Sequence, residues 1–155
     1  MDYEKKIKEL GLAIPGAARP VGSYLPVVLS GGLGFLSGQI SKTADGKILT
    51  GKVGRDLTPE QGREAARVAG LNVVSVIRHL IGFGKFERIL KVTGYVQTAP
   101  DFYDISAVVN GASDLFLEIF GPNGVHARSS IGMASLPMNS AVEIEVTVKL
   151  NEKLS

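Results

Sequence analysis

Apolar and polar residues alternate with a period of two near the end of the chain. Over residues 142–150, Val, Ile, Val, Val and Leu fill every second position, and Glu, Glu, Thr and Lys lie between them. This alternation predicts a strand with one buried face. Other apolar or alternating runs predict four more strands, at residues 24–29, 33–36, 86–98 and 128–136.

Two segments instead repeat their apolar residues at steps of three and four, which predicts amphipathic helices. The first begins at Thr58, where Pro59 and Gln61 complete an N-terminal capping pattern, and it is expected to run to about Leu80. The second occupies the region after residues 101–104 and ends at the Gly-Pro-Asn-Gly sequence of residues 121–124.

The element order is therefore β-β-α-β-α-β-β, an α+β pattern. The simplest arrangement is one mixed sheet with both helices packed on one face. Gly31–Gly32 predicts a hairpin turn between the first two strands. The last two strands are expected to form an antiparallel hairpin around residues 137–140.

We expect a single domain over residues 20–155, preceded by an N-terminal arm at residues 1–19. The arm holds a short amphipathic segment, residues 3–10, with Ile7 and Leu10 on one side. It is charged and lacks the apolar core of a signal peptide, and no apolar run is long enough to span a membrane. These features predict a cytoplasmic protein with no membrane partner.

The amino-acid composition excludes several kinds of functional site. The 155 residues include no Cys, which excludes a disulfide scaffold, a Cys-ligated zinc site and a cysteine nucleophile. The net charge of +2 gives no electrostatic footprint for a nucleic-acid partner. The glycine-rich stretch at residues 30–34 lacks the Lys of a phosphate-binding loop, and His79 and His126 are too isolated for a ligand set. We expect no metal and no cofactor.

The charged residues of the last two predicted strands allow either a structural or a functional interpretation. Arg128 is either a surface residue at a strand end or an anchor for a carboxylate, beside the small hydroxyl of Ser130. Glu143 and Glu145 lie on the polar side of the last strand, where a solvated face is the bland alternative. Local patterns alone do not separate these interpretations.

A pattern that extends over most of the chain does separate the two interpretations. In chain order it comprises Tyr24, Leu-Ser-Gly-Gln-Ile at residues 36–40, Val109–Asn110, Ala-Arg-Ser at residues 127–129, Leu136–Pro137 and Val-Glu-Ile-Glu at residues 142–145. Together these segments resemble the Rid family, also called the YjgF type and historically labelled endoribonuclease L-PSP-like. The resemblance covers roughly residues 20–150.

The resemblance implies a chorismate mutase-like fold and a homotrimer with clefts between subunits. Many members hydrolyse enamine or imine intermediates such as 2-aminoacrylate to a 2-keto acid and ammonia. By motif position, Arg128 resembles the residue that grips the substrate carboxylate, and Glu143 the residue that activates water. The residues that resemble the rest of the substrate-binding cleft are Tyr24, Ser37, Gly38, Asn110 and Ser130.

The chain departs from the family pattern in three ways. Ser130 stands where many members have Cys, an arm precedes residue 20, and the spacing between Asn110 and Arg128 is long. The arm and the spacing resemble a longer subgroup. The proposed chemistry needs no covalent nucleophile, so serine is compatible with it.

The expected hairpin also constrains the site. In that register Glu143 lies opposite about residue 134, roughly 20 Å from Arg128 at the usual rise per strand residue. The two side chains could then share a small substrate only across a subunit interface. This supports the homotrimer independently of the resemblance.

Three functions remain open at this point. The first is an imine deaminase, and the second is a non-catalytic trimeric module that binds small carboxylates for regulation or as a chaperone. The third is a ribonuclease, against which the small net charge and the lack of a basic, aromatic-rich stripe argue.

Overall fold

The computed structural model describes residues 2–17 and 22–151. Its helices are α1 (Tyr3–Glu9), α2 (Pro59–Val76) with a π-helical continuation (Ile77–Ile81), and α3 (Ile105–Phe120). Its strands are β1 (Val27–Ser30), β2 (Leu33–Ile40), β3 (Phe86–Gln97), β4 (Ala127–Met133) and β5 (Val142–Leu150). Short 3-10 turns, Gly121–Gly124 and Pro137–Asn139, precede β4 and β5. The predicted β-β-α-β-α-β-β order is confirmed.

The start of α2 follows the predicted capping pattern. The backbone N–H of Gln61 donates to Thr58 Oγ1 at 3.2 Å, and the backbone N–H of Thr58 donates to Gln61 Oε1 at 2.9 Å. The π-helical continuation carries the helix past Leu80, close to the expected end. In the described part of the chain, no helix is long and apolar enough to cross a membrane.

The five strands form one mixed sheet in the order β1-β2-β5-β3-β4. Strands β3 and β4 run parallel, and the other neighbouring strands run antiparallel. Both long helices cover one face, where Val92, Ile144 and Val146 are buried. The predicted α+β class and the two-helix layer are therefore confirmed.

The expected hairpin of the last two strands is wrong. Strand β4 pairs with β3, and β5 lies on the other side of β3, between β3 and β2. The cause is the connection over residues 134–141, which crosses the end of β3. There the buried Gln97 amide group accepts from Leu136 N at 3.1 Å and donates to Asn139 Oδ1 at 2.8 Å. These bonds carry the chain past β3 rather than back along β4.

The first strand begins three residues later than expected, at Val27. The Leu25 carbonyl accepts from Ser37 Oγ at 2.6 Å, and the Pro26 carbonyl accepts from Ser37 N at 2.9 Å. Pro26 has no N–H to donate to a strand ladder. The segment before β1 is therefore tied to β2 without being a strand.

The arm helix α1 packs on the helical layer of its own chain. Tyr3 and Ile7 are buried, and the Tyr3 ring meets Phe120 edge-on at 5.1 Å between centroids. Leu10, expected on the buried side, is exposed, because Tyr3 and Ile7 form that side instead. The predicted boundary between residues 19 and 20 lies outside the described residues.

Two glycines let α3 approach its neighbours closely. A Cβ at Gly94 on β3 would lie 2.5 Å from Val109 Cγ1. A Cβ at Gly111 would collide with the backbone carbonyl of Arg63 on α2. Backbone cannot move aside as the end of a flexible side chain can, so Gly111 fixes the distance between the two helices.

We expect Gly111→Ala to lower the free energy of unfolding by about 2–3 kcal/mol, because the added methyl forces the helices apart. Urea unfolding measures the change. Gly84→Ala is the matched control, since its added Cβ meets no atom within 4 Å. Equal effects of the two substitutions would show that the close approach of α2 and α3 is not required.

Candidate active site

Arg128 extends from β4 toward α3. Its register partner Val92 is buried beneath the helices, so the Arg128 side chain leaves the sheet on the helical face. Its Nη1 donates to Asn110 Oδ1 at 2.7 Å and to Ser113 Oγ at 3.1 Å, and its Nη2 donates to the Ser106 carbonyl at 3.4 Å. Among the described residues, these partners are all neutral. The guanidinium is therefore oriented but keeps its positive charge for an anion.

A second layer of hydrogen bonds lies behind Arg128. Ser113 Oγ is 3.0 Å from His126 Nε2, and His126 Nδ1 is 2.6 Å from the Gly124 carbonyl. Burial lowers the pKa of His126, and the charge of Arg128 acts in the same direction, while the bond to Gly124 opposes both. An open pocket of about 260 Å³ beside this layer is lined in part by Ser113, His126 and Arg128.

Ser130 follows Arg128 on the same face of β4 and lies level with Gly94 of β3. Its Oγ is buried and has no hydrogen-bond partner among the described residues. A buried hydroxyl without a partner is costly in a folded protein. Ser130 is therefore a polar group beside Arg128 whose hydrogen-bonding capacity is unused among the described residues.

Glu143 lies on the opposite face of the sheet. Its neighbours Val142 and Ile144 are buried under the helices, so Glu143 points to the open face, against Gly38. A side chain at position 38 would collide with the carboxylate, so glycine makes room for it. Within the described residues the carboxylate has no hydrogen-bond or ion-pair partner. Burial, and then the charge of Glu145, raise the pKa of Glu143, which strengthens it as a base.

The separation of Arg128 and Glu143 follows from the strand register. Arg128 is level with Val92, and Glu143 is level with Tyr95. Three residues along and two strands across give about 14 Å between Cα atoms, with the side chains on opposite faces. One chain cannot bring both groups to a small substrate. The earlier inference of separation therefore holds, although the register assumed for it was wrong.

The seven predicted site residues fall into two groups. Asn110, Arg128 and Ser130 lie together on the helical face between α3 and β4. Ser37, Gly38 and Glu143 lie together near the bulge of β2, and Tyr24 is exposed just before β1. The groups face opposite sides of the sheet.

Sequence reasoning missed Ser106 and Ser113 as partners of Arg128, and it assigned no contact to His126. The i, i+3 spacing of Asn110 and Ser113 on α3 was the one available signal. His79 is exposed on the π-helical continuation of α2. Among residues 2–17 and 22–151, no three His, Cys, Asp or Glu side chains cluster as metal ligands.

Comparison with known proteins assigns this architecture to a family. The model of the family described as "YjgF/chorismate mutase-like, putative endoribonuclease" matches residues 4–150. The chain belongs to this family, as the sequence resemblance implied. Its site residues thus lie in a fold shared by a class of related proteins.

Three relatives illustrate the range of names within the family. The chain is 40% identical over 147 residues to protein TCP17 of Trypanosoma cruzi, covering 94% of this chain and 92% of that protein. It is 30% identical over 138 residues to a 2-iminobutanoate/2-iminopropanoate deaminase of Dermatophagoides farinae, covering 88% and 93%. The crystal structure of Atu1372 from Agrobacterium tumefaciens, a protein of unknown function, matches with a TM-score of 0.87 and 36% identity, covering 96% and 94%.

Proposed function

We propose that this protein is an imine and enamine deaminase. It hydrolyses intermediates of the 2-aminoacrylate type to 2-keto acids and ammonia, at sites shared between copies of the chain. The observation that carries the proposal is Arg128, a guanidinium held by α3 through neutral partners and open to a substrate carboxylate. The 30% identity to a protein named as such a deaminase supports the reaction class.

The proposed assembly is a homotrimer with clefts between subunits. The open face of the sheet carries three exposed apolar side chains, Val28, Phe35 and Ile131, near the unpartnered Glu143. An exposed apolar surface of this kind is typical of a protein interface. In the proposed trimer, the neighbouring copy that covers this face supplies the Arg128 that meets Glu143, since one chain holds the two residues on opposite faces.

In the proposed mechanism, Arg128 binds the substrate and Glu143 acts as the base. Arg128 of one copy binds the carboxylate and so places the imine carbon in the cleft. Glu143 of the neighbouring copy takes a proton from water as the water oxygen attacks that carbon. The proton passes to the nitrogen of the tetrahedral adduct. Glu143 then carries the proton of the adduct's hydroxyl group to the same nitrogen, so the carbon–nitrogen bond breaks, ammonia leaves and the carbonyl of the 2-keto acid forms.

The required rate enhancement is modest, since such imines also hydrolyse without help. General base catalysis by one carboxylate contributes about 100- to 10,000-fold, and positioning by Arg128 adds to it. Ser130 and Tyr24 are proposed to contact the substrate, and Ser37 and Gly38 to form the cleft wall. Asn110 orients the substrate through the bond it makes to Arg128.

A binding module is the second candidate function, and one observation favours it. On the helical face of a single chain, Arg128 and the Ser130 hydroxyl, which has no partner among the described residues, suit a small carboxylate, whereas Glu143, the proposed base, lies on the other face. Such a half-site binds without catalysing. The ribonuclease has no comparable support, since the net charge is only +2. The cytoplasmic location stays a prediction.

Ammonia release from imines generated in situ by an amino-acid oxidase tests the reaction. We expect wild type to accelerate release and Arg128→Ala to lose at least about 100-fold, because the substrate carboxylate has no anchor. Arg55→Ala, on an exposed loop, is the matched control and is expected to retain activity.

Running this assay over a panel of amino acids also separates the two candidate functions. Activity retained by Arg128→Ala would remove the central residue from the proposal. No acceleration by wild type on any carboxylate-bearing imine, together with Arg128-dependent binding of 2-oxobutanoate in a calorimetric titration, would instead favour the binding module.

Light scattering after gel filtration tests the assembly. We expect a mass of about 49 kDa, three times the 16.4 kDa chain, because the proposed assembly is a homotrimer. A mass of about 16.4 kDa, that of a single chain, would contradict both the trimer and the shared site.

A further inference from the structure

Three hydrogen bonds run in series from Arg128 to the backbone. Arg128 Nη1 donates to Ser113 Oγ at 3.1 Å, Ser113 Oγ lies 3.0 Å from His126 Nε2, and His126 Nδ1 lies 2.6 Å from the Gly124 carbonyl. They link β4, α3 and the 3-10 turn that follows α3. We call Ser113 and His126 the relay.

The chemistry of the groups fixes the direction of each bond. The Gly124 carbonyl can only accept, so His126 Nδ1 carries the hydrogen. In the neutral ring Nε2 is then an acceptor, and the Ser113 hydroxyl donates to it. That donation leaves the lone pairs of Ser113 Oγ for the Arg128 N–H. Neutral His126 thus sets the Ser113 hydroxyl in the orientation that Arg128 needs.

The far end of the relay is rigid. A side chain at Gly124 would collide with the Phe116 carbonyl on α3, so the turn lies tightly against the helix. The His126 ring meets the Phe116 ring edge-on at 6.0 Å between centroids. In the same turn, Asn123 Nδ2 donates to the buried Tyr3 hydroxyl at 3.0 Å. His126 is therefore held by an anchored segment rather than by a loose loop.

We propose that Ser113 and His126 are positioning residues that hold the Arg128 guanidinium in the orientation that binds the substrate carboxylate. This proposal rests on the proposed function, because it assigns the relay to the carboxylate-binding half of that site. Neither residue contacts the substrate. Both act through Arg128, which lines the 260 Å³ pocket together with them.

The relay makes carboxylate binding depend on pH. A protonated His126 would donate from both nitrogens, so the Ser113 hydroxyl would lose its acceptor and a second cation would stand near Arg128. The other charged groups nearby are Asp114 on α3, which pairs with Arg63, and Arg88 on β3, whose Nη2 donates to the Val125 carbonyl at 3.1 Å. Since the pKa of His126 is lowered, the neutral ring orients the Ser113 hydroxyl at neutral pH, and we expect this orientation to be lost and binding to weaken as pH falls through that pKa.

The test compares two replacements of one ring. His126→Gln can place an oxygen where Nε2 accepts from Ser113, whereas His126→Asn can replace only the bond to Gly124. We expect His126→Asn and Ser113→Ala to raise KM about fivefold to tenfold with little change in kcat, because each loses one link of the relay. His126→Gln should stay near wild type and should lose the rise of KM at acidic pH. His79→Gln, at the exposed histidine, is the control.

The double variant Ser113→Ala/His126→Asn gives a readout that a merely structural role would not. Two residues that act through one bond to Arg128 should show no further rise of KM beyond the larger single effect. Additive effects would overturn the relay. Circular dichroism spectra of all variants confirm that each one is folded.

Two measurements keep this proposal separate from the deaminase activity. Nitrogen NMR of wild type should show neutral His126 with its hydrogen on Nδ1, and calorimetry should show the same ranking of variants for 2-oxobutanoate binding. If wild type binds 2-oxobutanoate in this ranking without deaminating imines, the relay stands and the proposed function fails. The opposite tautomer, equal binding by all variants, or no binding by wild type would overturn the relay.

Discussion

The bond between Arg128 and α3 is the interaction on which the site depends. A guanidinium at a sheet edge is ordinarily mobile, but here Asn110, Ser113 and the Ser106 carbonyl receive it. This contact needs α3 to lie very close to the sheet, which Gly94 on β3 permits by having no side chain. The site therefore depends on the close packing of α3 against the sheet. Gly94, which permits this packing, is needed for the site to form.

The second constraint is the sheet itself. Arg128 projects to the helical face and Glu143 to the open face, with β3 lying between their strands. The two groups have different environments as a result. Arg128 is held by three neutral acceptors, whereas the Glu143 carboxylate, among the described residues, has no partner and a raised pKa. An unpaired base on an open, partly apolar face is the arrangement expected if a second copy completes the site.

Much of this fold could be predicted from local sequence. The Thr58 capping box, the Gly31–Gly32 turn and the alternation in β5 each depend on residues close together in the chain, so short-range rules describe them. The place of β4 beside β3 could not be predicted in this way. It involves contacts between distant parts of the chain, such as those of Gln97 with the connection to β5 about forty residues later.

The candidate site likewise contains residues that the sequence could identify and residues that it could not. Arg128 and Glu143 stood out as charged residues beside motifs of a known family, so the sequence was enough to nominate them. The contacts of His126 were not visible, because they depend on Ser113, thirteen residues away on a helix whose orientation is set by packing. Side chains that work through other side chains carry little local signal, and a folded structure is needed to find them.

A mixture of two inactive variants tests the central claim, that the site is shared, most directly. Arg128→Ala and Glu143→Gln copies would be co-expressed with different tags, and only the mixed oligomers purified. If each site takes its arginine from one copy and its glutamate from the next, every mixed trimer has both native residues at one of its three interfaces. The mixed oligomers should therefore show about a third of wild-type activity. Mixed oligomers as inactive as either variant alone would contradict the shared site and this account of the mechanism.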